Sequence, residues 1–291
     1  MGLAPMFNVA AQLFVNAFPP LRIDNLKGEG LLFEFNVSKT WGPSPDTASI
    51  TVYNLDPVAR AALSITVANF VGVGVQIFAG WGGILEQFYT GEIWKLTAAR
   101  QTGTDVLTLI EAGVGSVALR DATPSGIPEF GIPIFLKIGQ IFGELKRPLL
   151  PSAAAIVKAR AAALPVSALD FTGNETKEEM LHVLMSAMGL TWGFAGDFAV
   201  VYKDGKRDDV LPLLIGPNSG ALTWEETDNG GVSLTALGQP RVVPGMQLTV
   251  VDEKGIIVGG GPLRVESVAF NGSSESGFTM VIDARKAAVL G

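Results

Sequence analysis

LLFEFNVSKTWGPSPDTASITVYNLDPVARAALS, Leu31–Ser64, is the stretch on which the fold reading turns. Leu31, Phe33, Phe35 and Val37 alternate with Glu34, Asn36 and Ser38. A period of two places the apolar side chains on one face of a strand and the polar ones on the other. ASITVYNLD repeats the pattern, with Ala48, Ile50 and Val52 against Ser49, Thr51 and Tyr53. Gly42–Pro45 supplies a turn between the two, so these strands are expected to pair or neighbour. Asp56-Pro57 then combines a capping carboxylate with a proline at the first helical position, and VARAALS is expected to form about two turns of helix.

Downstream, GVGVQIFAGWG, EQFYTGEIWKL and DVLTLIEAG are three further strand candidates, separated by Gly-Gly and by Gly103-Thr104. Together these segments predict a barrel or sandwich with one short helix. From about Asp121 to Pro217 the alternation weakens. IPIFLKIGQIFGEL and PSAAAIVKARAAAL read as helices there. At Thr176 a Thr-Lys-Glu-Glu capping box opens a clearer helix with Leu181, Leu184, Met185 and Met188 on one face, and Gly189 stops it. LTWGF and FAVVYKDGK follow as two short strands, which makes this block a small α/β module. From about Ser219 the period of two returns in GALTWEE, GVSLTAL, MQLTVVD, LRVESVAF and FTMVIDAR. Asp228–Gly231, Asp252–Gly255 and Asn271-Gly272 offer turn chemistry between them. A second barrel is the simplest reading, although the strand near Ala221–Glu225 could complete the first instead. Met246, Leu248 and Val250 are expected to face a core.

The chain has 291 residues, enough for two or three domains. Hydrophobic residues make up 48% and charged residues only 17%, and the mean hydropathy is +0.36, so lasting subunit contacts are expected to hide the apolar excess. No membrane span is expected, because even the apolar stretch Ala61–Gly80 is interrupted by Ser64, Thr66, Asn69 and Gln76. The N-terminal segment has no basic residue before Arg22 and is broken by Asn8, Gln12 and Asn16, which argues against a secretory signal. The absence of cysteine excludes disulfides, thiolate metal sites and cysteine nucleophiles. A net charge of −7 argues against a protein that grips phosphate backbones.

Candidate chemistry is sparse. One histidine, His182, follows Glu178 and Glu179 on a helix flank, an ordinary surface arrangement, and a lone histidine cannot supply a two-histidine metal site. Asp208-Asp209 and Glu225-Glu226 are adjacent carboxylates that point to opposite sides of an extended chain, so neither doublet is an acid/base pair by itself. Gly72-Val73-Gly74 and Gly259-Gly260-Gly261 lack the fingerprint of a nucleotide loop and read as turns or bulges. Trp81, Phe88, Tyr89 and Trp94 have few basic companions and read as core or subunit interface rather than base-stacking platforms. No catalytic, cofactor-binding or metal-ligating residue is assigned.

Four segments in order resemble the hub (baseplate hub) family of phage tails, whose relatives include late-control tail proteins and the N-terminal regions of type VI secretion spikes. They are ITVYNLDPVARAAL (Ile50–Leu63), VQIFAGWGG (Val75–Gly83), FYTGEIWKL (Phe88–Leu96), and VVPGMQLTVVD with GPLRVESVAFNGSSESGFTMVIDAR (Val242–Asp252 and Gly261–Arg285). One departure is that Gly113-Val114 follow the TLIEA strand where the family often has an acidic residue.

The resemblance implies a mainly β protein with a smaller α/β part. A first tube-like barrel domain with an N-terminal extension (1–120) and a second tube-like barrel (218–291) flank a middle module (121–217). It implies a structural virion protein rather than an enzyme: a homotrimer that joins a sixfold tail tube to a threefold spike or fibre apparatus and encloses the DNA channel. The implied partners are the chain itself, a tail-tube or distal tail protein, a spike or fibre protein and a tape-measure protein. DNA would pass without specific binding. The implied location is the tail tip of the virion, and the host cytoplasm during assembly. The rival readings are a β-rich glycan or cell-wall hydrolase with a carboxylate pair assembled by folding, and a tail-tube or adaptor subunit.

Overall fold

The computed structural model describes residues 9–17, 19–24, 31–42, 44–69, 72–100, 105–114, 133–145, 147–162, 164, 176–195, 198–203, 211–228, 230–275 and 277–286. The chain is mainly β. The expected first pair forms as read: β3 (Phe33–Thr40) lies antiparallel to β4 (Thr47–Tyr53), with Phe35 opposite Ile50 and Val37 opposite Ala48 on the covered face. Asn54 ends β4 at φ +52, a conformation asparagine tolerates better than most residues. Its side chain bridges Asp105 and the backbone N–H of Val106. The Asp56 carboxylate accepts from the N–H groups of Val58 and Ala59 and so caps α1 (Pro57–Asn69). At 13 residues α1 outlasts the expected two turns, because its apolar stripe continues past Leu63 to the buried Thr66 and to Val67.

The first β block adds β5 (Gly74–Trp81), β6 (Glu86–Arg100) and β7 (Val106–Gly113). Two strands not anticipated from the sequence precede it. β1 (Val9–Val15) pairs with β5, and β2 (Leu21–Asp24) pairs with β1. In the middle module α2 (Ile134–Glu144), α3 (Pro151–Ala161) and α4 (Lys177–Ala187) pack with the hairpin β8 (Leu190–Ala195) and β9 (Phe198–Lys203) around Trp192, Phe142 and Met185. The capping box forms: the Glu179 N–H donates to the Thr176 hydroxyl, and the Thr176 N–H donates to the Glu179 carboxylate at 2.7 Å. Gly189 stands at φ +66, where a side chain would be strained.

The C-terminal block holds β10 (Leu213–Ile215), β11 (Ala221–Glu226), β12 (Val232–Leu237), β13 (Gln247–Val250), β14 (Leu263–Ser273) and β15 (Phe278–Arg285). β11 pairs with β12, so Ala221–Glu226 belongs to this block, and Met246, Leu248 and Val250 are buried as expected. Asn271 and Gly272 lie within β14 rather than in a turn; the chain reverses beyond them.

One sheet joins both β blocks in the order β11-β12-β15-β14-β3-β4-β7-β6-β5-β1-β2. The order contains a repeat that no sequence similarity announces. In the first block the strands run β3-β4-β7-β6-β5; in the second they run β11-β12-β15-β14, with β13 on the far side of β14. Numbering each block from its first strand gives 1-2-5-4-3 both times. The match extends to detail. β5 pairs only with the first half of β6, as β13 pairs only with the start of β14, and in both long strands the pairing to the next strand shifts at the changeover, at Ile93/Lys95 and at Val265/Ser267.

Candidate assembly surface

The two blocks meet where Ser267–Ser273 of β14 pair with Thr40–Glu34 of β3. Behind this seam one aromatic cluster is shared. The Phe88 ring, on an irregular stretch of β6, lies 5.5 Å from Phe35, 5.0 Å from Phe270 and 5.5 Å from Phe278. Aromatic pairs at these separations add to the area they bury. Lys39 is buried in the same place, where its ammonium donates to the Phe88 carbonyl and stands 5.5 Å from the Phe270 ring. Trp81 donates from Nε1 to the Gly238 carbonyl at 2.8 Å, and Arg241 grips Glu86 through both Nε and Nη2. That guanidinium holds the Glu86 carboxyl below its ordinary range. Trp81 and Phe88, expected in core or interface, are thus among the residues that join the blocks; of the other two aromatics in that expectation Tyr89 is buried, whereas Trp94 is half-buried and donates to Glu111.

On the opposite face the sheet is polar across the seam. Glu34, Asn36, Ser38 and Thr40 of β3 lie beside Thr51, Ser49 and Thr47 of β4 on one side and Ser273, Asn271, Ala269 and Ser267 of β14 on the other. Asn36 donates to Asn271 at 2.5 Å, while Asp283 accepts from both Ser233 and Ser267 at 2.9 and 3.0 Å. At the β7–β6 end Glu111 accepts from Lys95 and from Trp94 Nε1, and the lysine depresses its carboxyl. Hydroxyls, amides and scattered carboxylates therefore line a continuous surface spanning both blocks.

Solved structures place this architecture. The tail protein from Neisseria meningitidis MC58 superposes with a TM-score of 0.66 at 12% identity, over 97% of this chain and 98% of that one. The fold is that of the phage tail proteins. A 43 kDa tail protein of prophage MuSo2 from Shewanella oneidensis has the same tail-protein fold at TM-score 0.60, 10% identity, and 95% and 97% coverage. An E. coli component of the type VI secretion system matches at TM-score 0.52, 9% identity, and 89% and 74% coverage; it is described as structurally similar to bacteriophage T4 tail proteins. No protein-family model and no curated protein matches the sequence. The tail-protein fold agrees with the resemblance carried by the four sequence segments.

Within this fold the residues weighed for chemistry lie apart. His182 is exposed on α4, and Glu179 beside it is committed to the cap. Glu225 lies on the polar face, whereas Glu226 is on the other side of β11 and accepts from the Gly259 N–H. Asp208-Asp209 lies outside the described residues. Gly72 turns the chain at φ +79, and Gly259–Gly261 turn it again near β14. Tyr89 is buried over Gly91, and burial pushes its hydroxyl well above the ordinary phenol range, with Asp46 and Glu92 adding to the effect. A cleft of about 390 Å³ beside it presents one carboxylate, Asp46, and a second cleft on the polar face presents one, Glu34. Carboxylate-pair hydrolysis requires two flanking the bond. Among the described residues no three His, Asp or Glu side chains cluster as metal ligands, and no helix is long and apolar enough to cross a membrane.

Proposed function

We propose that the chain is a structural hub of a phage tail: a homotrimer that joins a sixfold tail tube to a threefold spike or fibre apparatus and encloses the DNA channel. The observation that carries this reading is the repeated strand connectivity. A chain built of two like units, the tube-like barrels assigned to 1–120 and 218–291 around the 121–217 module, lets three copies offer six like surfaces to a sixfold partner. The tail-protein fold over nearly the full chain supports a place in the tail tip, with assembly in the host cytoplasm. The type VI secretion neighbour supports a spike-type partner below, and a tape-measure protein would pass through the ring.

The polar face is the surface we assign to the channel wall. Its serine, threonine and asparagine side chains, with Glu34, Glu225 and Asp283 among them and with Lys95 tied to Glu111, offer phosphate little to hold, and like charges repel over roughly 8 to 10 Å at moderate salt. The role is one of binding and mechanical continuity, with no catalytic residue assigned. Electron microscopy of the assembled ring tests it. Threefold rings with Glu34 and Asp283 facing a central opening are expected. Rings with those residues on the outer wall would overturn the channel assignment, and an assembly without threefold symmetry would overturn the hub.

A further inference from the structure

The seam inside the chain specifies where a second copy binds. The second half of β14 is held on one side by β15 and on the other by β3. β6 is the strand equivalent to β14, and its second half, Lys95–Arg100, is held by β7 on one side only. No described strand fills the slot that β3 fills in the other block. β3 itself is equivalent to β11, which pairs with β12 and, among the described strands, has no partner on its second hydrogen-bonding edge at the end of the sheet. Each open edge is thus the counterpart of one side of the seam.

We propose that β11 of one copy pairs antiparallel with the second half of β6 in a neighbouring copy, repeating between chains the β3–β14 junction made within each. The proposal rests on the trimeric reading and names its interface. Strand sense agrees with it. From β11 to β6 there are eight strands, every neighbouring pair antiparallel, so the two ends run in opposite directions. A copy generated by rotation about the ring axis then adds antiparallel, as a closed heterologous ring requires. The side chains agree as well. In β3 the core-side Phe33 and Phe35 are covered by the other block. In β11 the core-side Trp224, opposite buried Leu234, remains 43% exposed, and Leu222 at the register shift remains 54% exposed. Beside β6, α1 carries Val58 and Ile65, a seven-residue spacing on one helix face, 76% and 61% exposed. On the polar face Glu225 of β11 would meet an edge carrying Lys95. At the far end of the same sheet path, β2 has four residues and a charged Arg22–Asp24 pair, features that discourage strand addition.

The natural absence of cysteine makes the test clean. Thr97 and Glu225 are both exposed on the polar face. The double variant Thr97→Cys/Glu225→Cys is treated with a bismaleimide reaching about 8 Å, which covers directly opposite and diagonal neighbours on adjacent strands. Covalent dimers and closed trimers are expected, with neither single variant giving the trimer and with Arg22→Cys/Glu225→Cys giving no ladder. Trp224→Asp is expected to raise the dissociation constant of the uncross-linked assembly at least tenfold. An oligomer of unchanged mass that shows no 97–225 cross-link, or that cross-links through position 22, would overturn the pairing and leave the trimer standing. A chain that stays monomeric at every concentration would overturn both.

Discussion

Gly272 on β14 stands directly opposite Phe35 on β3, and a Cβ at Gly272 would lie 2.5 Å from the edge of the Phe35 ring. The ring therefore occupies the space a side chain would need, and the strand runs through an Asn-Gly pair that otherwise favours a turn. Gly272→Ala is expected to force the ring or the seam apart, at a cost of about 1 to 3 kcal/mol. Gly139, on the exposed side of α2 with open space around it, is the control: Gly139→Ala is expected to stabilise by roughly 0.5 to 1 kcal/mol. Denaturant titration of both variants measures the contrast.

Leu248 has no exposed surface and its strand bridges β10 and β14. Leu248→Asp would bury a carboxylate without a partner, and soluble expression is expected to fail. A well-folded variant recovered from the soluble fraction would contradict the register.

Glu86 and Arg241 tie β6 to the C-terminal block. Because the folded Glu86 carboxyl sits below its ordinary value of 4.5, its contribution is present above that pH and is lost as pH falls through the lower, folded value. Arg241→Gln is therefore expected to lower the melting temperature at neutral pH, and the difference from the unaltered chain should shrink progressively below about pH 4.5. The effect is expected to be small and salt-sensitive, since the arginine is largely exposed.

Thr176 and Glu179 satisfy two backbone donors at the start of α4, whose Met180, Leu181, Leu184 and Met185 fill the core of the middle module. Thr176→Ala is expected to cost about 1 kcal/mol in unfolding free energy. Hydrogen exchange should show the loss first in the amides of the first turn.

The strands were legible where alternation was strong. Phe33–Thr40, Thr47–Tyr53 and Phe278–Arg285 carry one buried face, and each appears as read. β1 and β2 were not: in VAAQLFV Ala10, Ala11, Leu13 and Val15 are buried and Phe14 is half-buried, so side chains on both faces are largely covered and the period of two is blurred. The aromatic segments around Trp81 and Phe88 were read as core or interface, which the shared cluster bears out. The seam and the repeated connectivity were not legible. Pairing between strands more than two hundred residues apart leaves no local pattern, and the two blocks share an order of strands without sharing residues.

The most direct test of the account is the mass of the chain in solution, by light scattering coupled to size exclusion. Three copies of a 30.5 kDa chain weigh about 92 kDa, and a concentration-stable species of that mass is the predicted result. A stable monomer near one chain mass would contradict the trimeric hub.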